Sequence, residues 1–118
     1  MTTITLITGG SRGLGRNTAL AVARQGGDVV LTYRSNAAEA AQVVGEIQAM
    51  GRAAVALQLD TGDTGAIPPF VASLKAALRD SFGRETLDHL VNNAGHGDYA
   101  TFADTTEAFA REYIAPWI

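Results

Sequence analysis

Residues 8 to 15 read Thr8-Gly9-Gly10-Ser11-Arg12-Gly13-Leu14-Gly15, set between a short apolar run and an amphipathic one. Gly9, Gly13 and Gly15 thus fall where a strand gives way to a helix. In an α/β fold this is the point at which a helix N-terminus, with its unpaired N–H groups, receives a pyrophosphate. Gly9 suits the tight turn, Gly13 lets backbone approach phosphate, and Gly15 lets the helix pack closely on the strand. The plain alternative is a helix-capping loop with chance glycines. It is disfavoured because the octet follows a strand, opens a helix and belongs to a strand–helix–strand unit of about 30 residues, the context such a turn requires.

Working outward, Ile4-Thr5-Leu6-Ile7 is a β-branched strand that ends at the octet. Leu14, Ala19, Leu20, Ala21, Val22 and Ala23 suit a buried helix that stops at Gly26-Gly27. Val29-Val30-Leu31-Thr32-Tyr33 is a second apolar strand, and Ser35 or Asn36 caps the next helix, whose Ala40, Val43, Val44 and Ile47 recur at helical spacing up to Gly51. A third strand covers Ala53 to Leu59 and closes at Asp60. After a loop containing Gly and Pro, Phe70, Leu74, Ala77 and Leu78 mark a third helix. Leu87-Asp88-His89-Leu90-Val91 is a fourth strand, followed by Asn92-Asn93-Ala94-Gly95. Near-continuous apolar strands alternating with helices predict a Rossmann-type, doubly wound parallel sheet of about four strands, with helices on both faces. The polar turns after the strands then gather at its carboxyl edge.

The 118 residues are read as one domain, 47% hydrophobic and 18% charged, with no cysteine. Disulfides and thiolate metal sites are therefore excluded. A net charge of −3 argues against a nucleic-acid or anionic-membrane surface. No run approaches the roughly 20 apolar residues of a membrane span, and the N-terminus has no basic leader, so a cytoplasmic protein is expected.

Thr-Gly-x-x-x-Gly-x-Gly at Thr8 to Gly15, Asp60 after the third strand and Asn92-Asn93-Ala94-Gly95 after the fourth together resemble the short-chain dehydrogenase/reductase family. The resemblance runs from Thr5 to about Phe109. It implies that Gly9, Ser11, Arg12, Gly13, Leu14 and Gly15 hold the pyrophosphate and adjoining ribose of a nicotinamide dinucleotide. It also implies that Asp60 and Thr61 bond the adenine, and that the turn from Asn92 through Asn93 and Ala94 to Gly95 supports the sheet and lines the ribose. Asp60 as a plain turn cap stays open beside that role.

The second strand bears on which nicotinamide is bound. An NAD-preferring site places Asp or Glu at this strand's end, to accept from the ribose 2′-hydroxyl. Here the positions read Thr32-Tyr33-Arg34-Ser35-Asn36, with no carboxylate before Glu39. Arg34 can pair with a 2′-phosphate, Ser35 and Asn36 can donate to it, and Arg12 can clamp it from the other side. NADP(H) is thus preferred over NAD(H), against the alternative that each arginine is a solvated surface charge.

The family's hydride transfer between nicotinamide and a carbonyl or alcohol carbon implies a serine and a Tyr-x-x-x-Lys pair, which needs one helical face. Tyr33, Tyr99 and Tyr113 are followed four residues later by Ala37, Ala103 and Trp117, and the lone lysine, Lys75, is preceded by Val71. No catalytic residue is assigned, and the chain alone is expected to be inactive, as the cofactor-binding half of such an oxidoreductase. Two alternatives are a non-catalytic nucleotide-binding or assembly module completed by a second chain, and a non-functional truncated product. Pro116 should end a helix begun at Asp104, leaving 110–118 as an atypical tail. The fourth strand would then be an exposed apolar edge open to self-association. His89, His96, Asp98 and Asp104 lack ligand spacing, so no metal site is predicted. A 3-oxoacyl group or small ketone as substrate follows only from family analogy.

Overall fold

The computed structural model describes residues 2–93. Ala94, Gly95, His96, Asp98, Tyr99, the helix expected from Asp104 and the 110–118 tail lie outside them. The described elements alternate strictly. β1 (Ile4–Thr8) leads to α1 (Gly13–Arg24), β2 (Asp28–Tyr33) to α2 (Ala37–Ala49), and β3 (Ala54–Gln58) through a 3₁₀ turn (Thr64–Ala66) to α3 (Ile67–Phe82) and β4 (His89–Asn92).

All four strands are parallel, in the order β3-β2-β1-β4. The chain therefore moves outward from β1 through β2 to β3, then returns to the other side of β1. With right-handed crossovers that reversal throws α3 onto the face opposite α1 and α2, and the side chains divide accordingly. Ile4, Leu6 and Val30 pack with Phe70, Leu74 and Leu78 of α3. Ile7, Val29 and Leu31 pack with Ala19, Leu20 and Ala23 of α1 and with Val43 and Ile47 of α2. This alternation along β1 and β2 is the period-two signature of strands covered on both faces. Burying each such leucine contributes about 2 kcal/mol.

Three sequence expectations are revised. Leu14 is 77% exposed and Ala21 is exposed, although both were counted on a buried helix face. The buried stripe of α1 is Gly15, Ala19, Leu20 and Ala23, and one residue's rotation of about 100° carries Leu14 off it. Pro68 and Pro69 belong to the first turn of α3 rather than to the preceding loop, because their missing N–H groups would have no helical acceptor there. Leu87 is buried at 2% but precedes β4, which starts at His89, and β3 and β4 are less covered than β1 and β2.

At the amino edge of the sheet, Asp88 fastens β4 to β1. Its N–H donates to the Ile4 carbonyl at 2.9 Å, and its Oδ2 accepts the Ile4 N–H at 2.8 Å and Arg84 Nη2 at 2.7 Å. The Ile4 N–H above all, helped by the Arg84 guanidinium, holds the carboxyl below its ordinary value despite partial desolvation. Arg84 Nη1 also donates to the Thr2 carbonyl at 3.3 Å.

Candidate functional site

The sheet order places its reversal between β1 and β4, and open α/β sheets bind ligands outside the carboxyl ends of the strands at that point. Four strand ends meet there. Thr8 lies opposite Asn92, and Tyr33 lies opposite Gln58.

The glycine turn is anchored from both neighbouring strands. Gly9 N donates to Thr32 Oγ1 at 3.0 Å and Gly10 N to the Thr32 carbonyl at 3.0 Å, so the end of β2 fixes the start of the turn. Asn93 closes the other side. Its N–H donates to Thr8 Oγ1 at 3.0 Å and its Nδ2 to the Gly9 carbonyl at 3.1 Å. Gly9 and Gly13 have φ of 66° and 58°, in the left-handed region where a β-carbon is penalised. A β-carbon on Gly15 would overlap the Gly9 carbonyl oxygen and lie 2.5 Å from Asn93 Nδ2. The glycine spacing thus answers two separate demands, a turn that reverses sharply and a helix that starts against the strand it follows.

The resulting helix end is open. Arg12, in the N-cap position, has extended backbone and makes no side-chain cap bond, and the first turn of α1 holds no acidic residue. The first intrahelical bond runs from Arg16 N to Arg12 O. The N–H groups of Gly13, Leu14 and Gly15 therefore lack helical acceptors and lie at the positive end of the dipole. By contrast, α2 is capped by Asn36, whose Oδ1 accepts from Glu39 N at 3.1 Å. An uncapped helix start behind an open Gly13, whose β-carbon would meet nothing within 4 Å beyond its own chain neighbours and helix among the described residues, is a fit for a phosphate group.

The remaining predicted residues are placed as follows. Ser11 is half-buried in the turn, and Arg12 and Leu14 are exposed. Arg34 and Ser35 are exposed just past β2. Asn36 Nδ2 donates to Glu39 Oε1 at 2.6 Å, so its amide serves α2 in this structure. Asp60 Oδ1 accepts from Gly62 N at 2.9 Å, the turn-cap role that the sequence left open, and Thr61 is half-buried beside it. Asn92 is exposed and Asn93 half-buried. Ala94 and Gly95 lie outside the described residues. Among the described residues there is no metal-ligating cluster and no helix long and apolar enough to cross a membrane.

One premise about the second strand needs correction. Arg34 does have an acid beside it: Asp60 Oδ2 stands 3.8 Å from Arg34 Nε, with side chains 47% and 70% exposed. Parallel pairing of β2 with β3 brings the two strand ends together, a proximity invisible along 26 residues of chain. Arg12 makes no ion pair among the described residues. Sequence reasoning also passed over Thr32 and Gln58, which hold the turns flanking the site. The available signal was a polar residue near the end of an otherwise apolar strand in each case.

Comparison with known proteins agrees with this geometry. Residues 3–115 match the short chain dehydrogenase family. A hydroxynaphthalene reductase of Aspergillus fumigatus is 40% identical over 103 residues, 87% of this chain and 36% of its own length. A 3-oxoacyl-[acyl-carrier-protein] reductase of Synechocystis is 41% identical over 92 residues, 78% of this chain and 35% of its own. A short chain dehydrogenase from Burkholderia cenocepacia, solved in complex with NADP, aligns with a TM-score of 0.72 at 32% identity, covering 95% of this chain and 51% of that one. The chain thus spans about a third of the length of these curated relatives. Since the match runs through the glycine turn, the third and fourth strand ends and almost every residue between them, this chain belongs to the short chain dehydrogenase family.

Proposed function

We propose that this chain carries the cofactor-binding portion of an NADP(H)-dependent short-chain oxidoreductase. In this reading the pyrophosphate rests on the open start of α1, against the N–H groups of Gly13, Leu14 and Gly15, with Ser11 and Arg12 beside it. Arg34, with Ser35 and Asn36, takes the 2′-phosphate. Asp60 and Thr61 face the adenine, and the turn from Asn92 and Asn93 lines the ribose. When bound, the nicotinamide supplies or accepts the hydride, while these residues bind and orient it.

The observation that carries the NADP(H) assignment is Arg34 at the end of β2, where an NAD-preferring site has a carboxylate. The NADP complex of the 32% identical relative from Burkholderia cenocepacia supports it. Asp60 lessens the local positive charge without replacing Arg34, because it reaches in from β3 and its Oδ1 is held by Gly62.

Titration with NADPH, followed by nicotinamide fluorescence and with NADH as control, tests the reading. Saturable binding is expected, tighter for NADPH and weakened about tenfold or more by Arg34→Asp, since one good charge-assisted contact is converted into repulsion. Equal affinity for the two nucleotides, unmoved by that substitution, would overturn it.

A second reading is a nucleotide-binding module without chemistry of its own. No Tyr-x-x-x-Lys pair falls within these 118 residues, which span about a third of the length of the curated relatives. This reading predicts NADPH binding with no oxidation of NADPH when a ketone is added, whereas turnover by this chain alone would overturn it.

A further inference from the structure

The chain leaves β2 at Arg34 without a strand partner for that residue's own backbone. The last backbone bond between β2 and β3 in this region runs from Leu59 N to the Tyr33 carbonyl at 2.9 Å. One residue further on, the Arg34 carbonyl is taken instead by a side chain: Gln58 Nε2 donates to it at 3.1 Å. Gln58 is paired with Tyr33 in the sheet, so its amide needs to reach past only one residue. The chemistry also fixes the orientation of that amide, because only its NH2 end can face a carbonyl oxygen. The end of β3 therefore reaches Arg34 at two points, its carbonyl through Gln58 and its guanidinium through Asp60 Oδ2 at 3.8 Å.

We infer that Gln58 is a positioning residue for NADP(H) specificity, holding the backbone of Arg34 so that its guanidinium meets the 2′-phosphate. The inference rests on the NADP(H) reading above and adds a residue that acts through Arg34. The Arg34 side chain is largely exposed and has little packing to orient it. A long flexible side chain gains from a fixed backbone, because fewer conformers then have to be lost on binding. Gln58 itself is exposed at the end of β3 and outside both hydrophobic clusters, so its amide can be removed without opening the core.

The test compares the unmodified chain with Gln58→Met, a neutral side chain of similar length that cannot donate. The affinity of each for NADPH and for NADH is measured, with a thermal melt of each variant. NADPH binding is expected to weaken about two- to fivefold, the effect of one ordinary hydrogen bond, with NADH binding and melting temperature unchanged. In an Arg34→Ala background the same substitution should have no further effect on NADPH, since the pair acts as a unit. An equal loss for both nucleotides, an unchanged NADPH affinity, or a full effect in the Arg34→Ala background would each overturn the inference. If the unmodified chain shows no preference for NADPH, the functional reading fails and the inference falls with it. A preference that survives Gln58→Met intact removes the inference alone.

Discussion

Gly15 packs its α-carbon against the Gly9 carbonyl and the Asn93 amide, and this contact fixes how near α1 starts to the end of β1. Gly15→Ala would drive a methyl group into backbone oxygen, which cannot rotate away as a side chain tip could. The helix start must shift, at a cost of about 3 kcal/mol in stability. NADPH affinity is expected to fall at least in parallel, because the N–H groups of Gly13 and Leu14 move with the helix. Urea denaturation and fluorescence titration of the variant measure the two losses, and a stable variant with unaltered affinity would contradict this packing. Thr32 is the complementary case. It is buried at 1%, and both its hydroxyl and its carbonyl accept N–H groups of the glycine turn, so its polar atoms are satisfied by the site it supports.

Between elements, the Asp88 clamp joins β1 to β4 at the edge opposite the candidate site. Its carboxyl is held below the ordinary value of 3.8, first by the Ile4 N–H and then by Arg84. The folded state therefore favours the ionised form, and the resulting stabilisation is complete above that value and is lost as pH falls through the lowered folded one. Asp88→Asn is expected to cost about 1 kcal/mol near neutral pH, because the side chain is partly open to water and the charge is partly screened. The difference from the unmodified protein should narrow as pH drops below about 4 and close only below the lowered folded value, where both states of the unmodified protein are protonated. Urea melts at pH 7, 4 and 3 would show this, and a pH-independent difference would deny the carboxylate its role. Arg16 and Glu46 make a comparable tie between α1 and α2, with Nη2 at 2.8 and 2.9 Å from the two carboxylate oxygens. Its contribution is smaller because both side chains are more than a third open to solvent.

For the whole molecule, the two hydrophobic clusters lie on opposite faces of one sheet, so each packs on strands that the other also covers. Leu74 is fully buried and carries the α3 face. Leu74→Ala should cost about 3 kcal/mol through lost burial and the cavity left behind. Because β1 and β2 contribute side chains to both clusters, amide hydrogen exchange in β2 and in α3 should speed up together in this variant. A loss confined to α3, with the β2 signal unmoved, would show that the faces are independent.

Much of this architecture was legible in the chain. The glycine octet marked the first turn, apolar runs marked the strands, and helical spacing marked α2 and most of α3, since each of these is a local preference written in consecutive residues. The octet, Asp60 and the Asn92-Asn93 turn also mark the family. Other features depend on residues far apart in sequence. The sequence alone could place Arg34 after β2 and leave Asp60 open as a turn cap, but it could not bring the two carboxyl-edge groups within 3.8 Å. It marked neither the Gln58 bond to the Arg34 carbonyl nor the joint hold of Thr32 and Asn93 on the glycine turn. Local periodicity determines which segments become strands and helices. Strand order and register, set by burial on both faces of the sheet, decide which strand ends become neighbours and therefore which side chains share a site.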